Sequence, residues 1–99
     1  MFVVTLSYTA PLEQIDAQLA AHREWLDRGY ADGVLLASGA QVPRTGGVLL
    51  ARAESREALD AVLAEDPFNK AGLATYQVVR FTPTKTAEEL ASLREQPAG

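Results

Sequence analysis

Two residues of this chain carry side chains suited to proton transfer. His22 is the only histidine, and Asp66 stands directly before Pro67 and Phe68. Imidazole and carboxylate groups are common general acids and bases, and an ordinary imidazole changes charge near neutral pH. A carboxylate beside an imidazole also orients the ring. His22 and Asp66 are therefore the candidate catalytic residues.

The histidine lies on the apolar face of a predicted helix. The members of that face recur at intervals of three and four residues, namely Leu12, Ile15, Leu19, His22 and Leu26. This spacing places all of them on one side of a helix, so the imidazole is expected to point inward. A histidine in such a position is also compatible with a purely structural core role, and the spacing leaves both interpretations open.

The proline that follows Asp66 predicts where this aspartate lies relative to the preceding helix. Pro67 cannot continue a helix, and it disfavours helical geometry at the preceding residue. A helix that starts near Arg56 is therefore expected to break at Asp66 and to present its carboxylate there. An aspartate at a helix end can instead serve only in a local Asx-type hydrogen bond, so a structural interpretation again stands beside the catalytic one.

The remaining pattern predicts four strands and three helices. Apolar alternation and β-branched or aromatic content indicate strands over residues 2–8, 34–40, 47–53 and 73–82, and helical spacing indicates helices over residues 11–28 and 56–65. Gly29 is the predicted end of the first helix, residues 68–72 are a predicted connection, and a capping-box spacing at 86–89 predicts a short C-terminal helix before frayed residues 96–99. The order is βαββαβ, so we expect one α+β domain over residues 1–99 with a ferredoxin-like fold.

This order leads to an expectation about where the pair meets. We expect the first and third strands to be parallel neighbours, so that the two long helices run in the same direction. His22 lies eleven residues after Pro11, and Asp66 lies ten after Arg56. At about 1.5 Å of rise per residue, both groups then stand at nearly the same height. The sequence therefore predicts a hydrogen bond between them, direct or through one water, at the mouth of a pocket between helices and sheet.

The second face of the sheet is predicted to be apolar. It is expected to hold Phe2 and Val4 or their alternates, together with Leu49, Ala51, Val79 or Phe81. Such a face is usually covered, and the same face of a second copy is an economical cover. We therefore expect a homodimer or a higher oligomer.

Composition narrows the classes of function. The chain has no cysteine, one histidine and a net charge of −4 without a basic run. These features argue against disulfides, a resident metal and a nucleic-acid partner. The start of the chain shows neither a signal peptide nor a membrane span, so the expectation is a cytoplasmic protein. Acid/base chemistry by His22 and Asp66 needs no cofactor, so none is expected.

Several segments, in this order, resemble the YCII-related family of the dimeric α/β barrel superfamily. They are Ala21-His22-Arg23-Glu24-Trp25-Leu26, Leu36-Ala37-Ser38-Gly39, Gly46-Gly47, Asp66-Pro67-Phe68 with Ala71-Gly72-Leu73, and Val78-Val79-Arg80-Phe81. The resemblance implies homodimers whose sheets pack into a barrel, with a pocket lined by His22 and Asp66. Family members often carry Gly-Pro after the second strand, whereas this chain has Gly39-Ala40. The resemblance therefore does not predict the shape of the loop over residues 41–46.

Three functions are consistent with these observations. The first is a cofactor-free isomerase or lyase, similar to a dehalogenase, acting on a small cyclic or carboxylated metabolite through His22 and Asp66. The alternatives are a cofactor-free or haem-linked monooxygenase and a non-enzymatic module that binds a small molecule. Ser38, Trp25 and Phe68 are candidate substrate-binding residues, although turn chemistry explains the serine and core packing explains the aromatic residues equally well. Arg44 lies in the predicted hairpin loop. Its side chain either reaches an anionic ligand or, like most loop arginines, stays in solvent.

Overall fold

A computed structural model describes residues 1–96 of the chain. The helices and strands, in chain order, are β1 Phe2–Tyr8, α1 Leu12–Ala17, α2 Leu19–Ala31, β2 Leu35–Ala40, β3 Gly46–Ala51, α3 Arg56–Ala64, α4 Pro67–Lys70, β4 Ala74–Arg80 and a final 3₁₀ helix Glu88–Leu93. Within this part of the chain, no helix has the length and apolar character required to cross a membrane.

The four strands form one sheet in the order β2-β3-β1-β4, and every neighbouring pair is antiparallel. This is the ferredoxin-like α+β arrangement that the element order predicts. The expectation that β1 and β3 are parallel is wrong. The helical crossover from β1 to β2 makes these two strands parallel, and the β2–β3 hairpin then makes β3 antiparallel to both of its neighbours.

The antiparallel sheet reverses the relative direction of the long helices. Each of α2 and α3 returns along the strand before it, so the two helices run in opposite directions. The contacts between them show this: His22 meets Asp66, whereas Trp25, further along α2, donates to the carbonyl of Val62, further back along the chain. The equal-height argument is therefore wrong, and the pair meets because the start of α2 lies beside the end of α3.

The first predicted helix is longer and less regular than expected. It is broken at Gln18, where φ is −102° and ψ is 3°, and it continues through Gly29 to Ala31. Gly29 is buried, and a Cβ atom there would lie 2.6 Å from the side chain of Leu35. The glycine therefore permits close packing of α2 on β2, and the turn itself is made by Gly33, whose φ is +75°.

The segment after α3 is a short helix rather than the predicted connection. Asp66 is the N-cap of α4, with its side chain accepting a hydrogen bond from the backbone amide of Phe68. Pro67 occupies the first helical turn, where a missing amide hydrogen has no cost. The proline thus both ends α3 and begins α4.

The other boundaries differ from prediction by one or two residues. β2 begins one residue later than predicted, β3 begins one residue earlier and ends two earlier, and β4 begins one residue later and ends two earlier. α3 ends one residue earlier than predicted. The C-terminal helix is of the 3₁₀ type and has no side-chain cap; Thr86 instead accepts a hydrogen bond from Arg94 at 2.8 Å. Gln96 lies outside any helix or strand, and the rest of the predicted frayed end, residues 97–99, lies outside the described residues.

The core lies between the sheet and the helices. Phe2, Val4, Leu6, Leu49 and Ala51 point into it from the sheet, and Ile15, Leu59 and Phe68 pack on them from the helical side. The prediction that places Leu49 and Ala51 on the second face is therefore wrong.

The second face carries the alternate residues. Val3, Thr5 and Ser7 of β1 lie there, and the register places Leu50 and Val79 opposite Val3. Val79 is 61% exposed and the nearby Phe81 is 42% exposed. The face is thus partly apolar and partly hydroxyl-bearing, and its pairing with a second copy stays a prediction.

Candidate active site

The structure brings His22 and Asp66 into direct contact. The imidazole Nδ1 lies 2.8 Å from Asp66 Oδ1. His22 stands in the opening turn of α2, and Asp66 stands at the junction of α3 and α4. Both are buried, with 9% of His22 and 0% of Asp66 accessible to solvent. The pair therefore occupies a site from which most water is excluded, where hydrogen bonds between polar groups are strong.

Asp66 is held by two further hydrogen bonds. The backbone amide of Phe68 donates to Oδ1 at 3.1 Å, and the Tyr76 hydroxyl donates to Oδ2 at 2.5 Å. Burial, and then the hydrogen bond to Asp66, raise the pKa of Tyr76 well above its ordinary value, so this hydroxyl keeps its proton and acts as a donor. Because these neighbours donate, the carboxylate acts as an acceptor and its two oxygens are fixed in space.

This arrangement determines which imidazole nitrogen is free. A carboxylate can only accept, so in the neutral ring the hydrogen lies on Nδ1 and the lone pair lies on Nε2. Nε2 has no hydrogen-bond partner among residues 1–96, yet the same part of the chain contains no buried side-chain nitrogen or oxygen without a partner. Nε2 must therefore be accessible to solvent, in the geometry of a general base.

Two aromatic rings hold the imidazole in place. Phe68 stacks on His22 with 4.0 Å between ring centroids and an angle of 8°, and Trp25 lies on it at 5.6 Å and 28°. Trp25 is in turn fixed by a 3.0 Å hydrogen bond from its indole nitrogen to the carbonyl of Val62. Rotation of the imidazole is thereby restricted, so the direction of Nε2 is set by packing as well as by Asp66.

A cavity of about 360 Å³ lies in front of the histidine. Its size falls within the range of small-molecule sites. Its wall is largely apolar, with Leu6, Leu19, Leu26 and Phe68 among the lining residues, and its charged lining groups are Arg23 and Arg44. His22 lines the same cavity, whereas Asp66 lies behind the imidazole and does not. A small molecule in the cavity would contact the imidazole but not the carboxylate.

The predicted substrate-binding residues take three different positions. Phe68 lines the cavity beside His22. Trp25 is buried behind the imidazole and lies outside the lining, so it supports the histidine. Ser38 is exposed, forms a 2.5 Å hydrogen bond with the Tyr30 hydroxyl and does not line the cavity.

The sequence pattern did not indicate Tyr76 or Arg23 as site residues. Tyr76 follows the inward alternation of β4 and projects a hydroxyl toward a largely apolar core, and a tyrosine in such a row is itself a signal for a buried polar partner. Arg23 follows His22 directly, and no spacing rule distinguishes it from a surface arginine. Arg44, placed in the loop between β2 and β3, does line the cavity.

The fold and this site define an α+β protein with a buried histidine–aspartate pair at the wall of a small cavity. The sequence profile of the YCII-related domain matches residues 1–82, which is most of the chain, and the protein belongs to that family. The resemblance seen in the sequence motifs is thereby confirmed.

A solved structure extends the comparison. The fold is similar to that of 5-chloro-2-hydroxyhydroquinone dehydrochlorinase (TftG) from Burkholderia phenoliruptrix AC1100, in complex with 2,5-dihydroxybenzoquinone, with a TM-score of 0.70 and 26% sequence identity. The alignment covers 83% of this chain and 94% of the dehydrochlorinase. No curated protein sequence matches the chain.

Proposed function

We propose that this protein is a cofactor-free enzyme of the lyase or isomerase type, in which His22 moves a proton on a small cyclic metabolite. The observation that carries the proposal is the fixed imidazole: Nδ1 is bound to a buried carboxylate while Nε2 is accessible and the residue lines a cavity. A structural histidine needs a partner for its polar atoms, but it does not need an accessible second nitrogen on a cavity wall.

In the proposed reaction, Nε2 accepts a proton from a C–H or O–H group of the substrate. The electron pair of that bond forms a new double bond. In a lyase a leaving group departs with its own bonding pair, whereas in an isomerase the imidazolium returns the proton to another atom of the same molecule. Asp66 stabilises the imidazolium that forms, and Tyr76 keeps the carboxylate in position.

The structural neighbour supports the elimination form of this chemistry. A dehydrochlorinase removes hydrogen chloride, which requires a group that accepts the proton. The neighbour's fold and single-ring ligand agree with the size of the cavity described above. Elimination from a substituted six-membered ring is accordingly the reaction to test first.

Exposed apolar side chains on the second sheet face, Val79 above all, support a homodimer as the working assembly. In that assembly the face would be covered by its own copy.

The experiment is chloride release from 5-chloro-2-hydroxyhydroquinone by the wild-type chain and by His22→Gln. Loss of a general base should reduce the rate by about 10²- to 10⁴-fold. The affinity for 2,5-dihydroxybenzoquinone should change little, because the substituted side chain keeps much of its volume. Ser38→Ala, outside the cavity lining, is the matched control and should retain the wild-type rate.

Two results would contradict the proposal. His22→Gln with the wild-type rate would remove the histidine from the chemistry. A wild-type chain that binds 2,5-dihydroxybenzoquinone but releases no chloride and exchanges no carbon-bound proton would be a binding module.

A further inference from the structure

The cavity in front of His22 carries positive charge that has no role in the proton transfer proposed above. Arg23 and Arg44 are both among its lining residues, and no aspartate or glutamate of the described chain is. The chain as a whole carries a net charge of −4. A positive cavity in an acidic protein is a local feature, and a largely apolar wall strengthens the field of its charges.

Arg44 is held in place by a hydrogen bond that leaves other N–H donors of its guanidinium free. One terminal nitrogen, Nη2, donates to Asp16 Oδ1 at 2.6 Å. Asp16 lies on α1 and does not line the cavity. The Asp16 carboxylate, and then the nearby Tyr8 hydroxyl, raise the pKa of Arg44, so the guanidinium keeps its charge. A guanidinium has five N–H donors, and one hydrogen bond to Asp16 leaves the others for a ligand.

Arg23 has a different environment. It follows His22 on α2, and it forms no ion pair with any residue of the described range 1–96. Its position one residue after the imidazole brings a positive charge to the same cavity as Nε2. The two arginines come from different elements, Arg23 from α2 and Arg44 from the loop between β2 and β3.

We propose that the cavity binds a single-ring organic anion, whose carboxylate, phenolate or enolate oxygens face Arg44 and Arg23 while its ring lies against Leu19, Leu26 and Phe68. This assignment rests on the proposed function and specifies its substrate class. When His22 removes a proton from such a molecule, negative charge grows on the ring oxygens. Guanidinium groups already in place stabilise that charge.

The test is a binding titration that needs no turnover. Benzoate and its neutral analogue benzamide are each titrated into the full chain. Binding is measured from the changes in NMR chemical shift of the cavity residues. Wild type should bind benzoate at least tenfold more tightly than benzamide. Inorganic phosphate, which carries the charge without the ring, should bind more weakly than benzoate because it leaves the apolar wall uncovered.

Variants assign the preference to the two arginines. Arg44→Gln and Arg23→Gln should each weaken benzoate binding by about tenfold, as expected for a lost charged hydrogen bond, and should leave benzamide unchanged. Arg44→Lys should retain part of the preference, because it keeps the charge and loses the planar fork. Arg56→Gln is the matched control, since Arg56 is paired with Asp60 on α3 at 2.8 Å and does not line the cavity.

Equal affinities for benzoate and benzamide, or a benzoate preference that survives both glutamine variants, would overturn the inference. Tighter binding of phosphate than of benzoate would instead identify a phosphate site and would also overturn it. His22→Gln separates this result from the proposed function, because it should slow chloride release by about 10²- to 10⁴-fold while leaving the benzoate preference intact.

Discussion

Substitution of Tyr76 by phenylalanine measures how much the Tyr76 hydroxyl stabilises the buried His22–Asp66 pair. The change removes one hydroxyl and keeps the ring, so the packing of β4 on the core is preserved. Asp66 Oδ2 then loses the donor that lies 2.5 Å away, and the residue is fully buried, so water cannot easily replace that donor. An unsatisfied buried acceptor costs about 1 to 3 kcal/mol, and a charged one lies toward the upper end.

The matched control is Tyr30→Phe, because Tyr30 also forms a 2.5 Å hydrogen bond through its hydroxyl but is 40% exposed. Surface substitutions of this kind usually change stability by less than about 0.5 kcal/mol. Urea unfolding of both variants, compared with wild type at pH 7, gives the two losses directly. Equal losses, or a Tyr76→Phe chain as stable as wild type, would refute the argument that Tyr76 satisfies the buried carboxylate.

Other measurements test separate parts of the structure. Because burial and Asp66 raise the pKa of Tyr76, its contribution to stability is present below the ordinary tyrosine pKa of about 10 and is lost as the pH rises above it; alkaline unfolding should therefore be less steep for Tyr76→Phe, and an equally steep pH dependence would contradict this. Gly46→Ala should destabilise by about 1 to 3 kcal/mol, because a Cβ atom there would overlap the backbone carbonyl of Leu6, whereas Gly39→Ala, where a Cβ atom meets nothing within 4 Å, should be neutral by thermal unfolding; equal effects would show that β3 does not pack against β1 as described. Sedimentation should show a dimer that Val79→Asp dissociates, and a wild-type monomer of 10.6 kDa would exclude the proposed assembly.

The sequence predicted the elements well because their local patterns are strong. The alternation in β1 needs no tertiary information, and its boundaries are those predicted. The error at Gly29 has a tertiary cause: glycine usually ends a helix, but here it admits Leu35 of the neighbouring strand. The spacing of residues within α2 does not predict such a contact with β2.

The contact between His22 and Asp66 was predicted from an incorrect arrangement. The height count assumed parallel helices, whereas the antiparallel sheet makes them run in opposite directions. The count nevertheless placed the two residues near each other because α3 is short and ends beside the start of α2. The resemblance of the Asp66-Pro67-Phe68 segment to the family was the more reliable basis.

Tyr76 illustrates what periodicity does not provide. The alternation in β4 predicts which residues point inward, but not which polar atom an inward hydroxyl meets. That pairing depends on the position of α4 relative to β4, which is set by packing across the core. That Arg23 and Arg44 line the same cavity likewise depends on tertiary packing.

In the proposed mechanism, Asp66 holds the proton of His22 on Nδ1 and leaves Nε2 free to act as a base. Long-range ¹H–¹⁵N correlation spectra of the single imidazole, recorded at a pH where the ring is neutral, report the hydrogen on each nitrogen. We expect a protonated Nδ1 and an unprotonated Nε2 in the wild-type chain, with this preference lost in Asp66→Ala, which removes the acceptor. A hydrogen on Nε2 in the wild-type protein would contradict it.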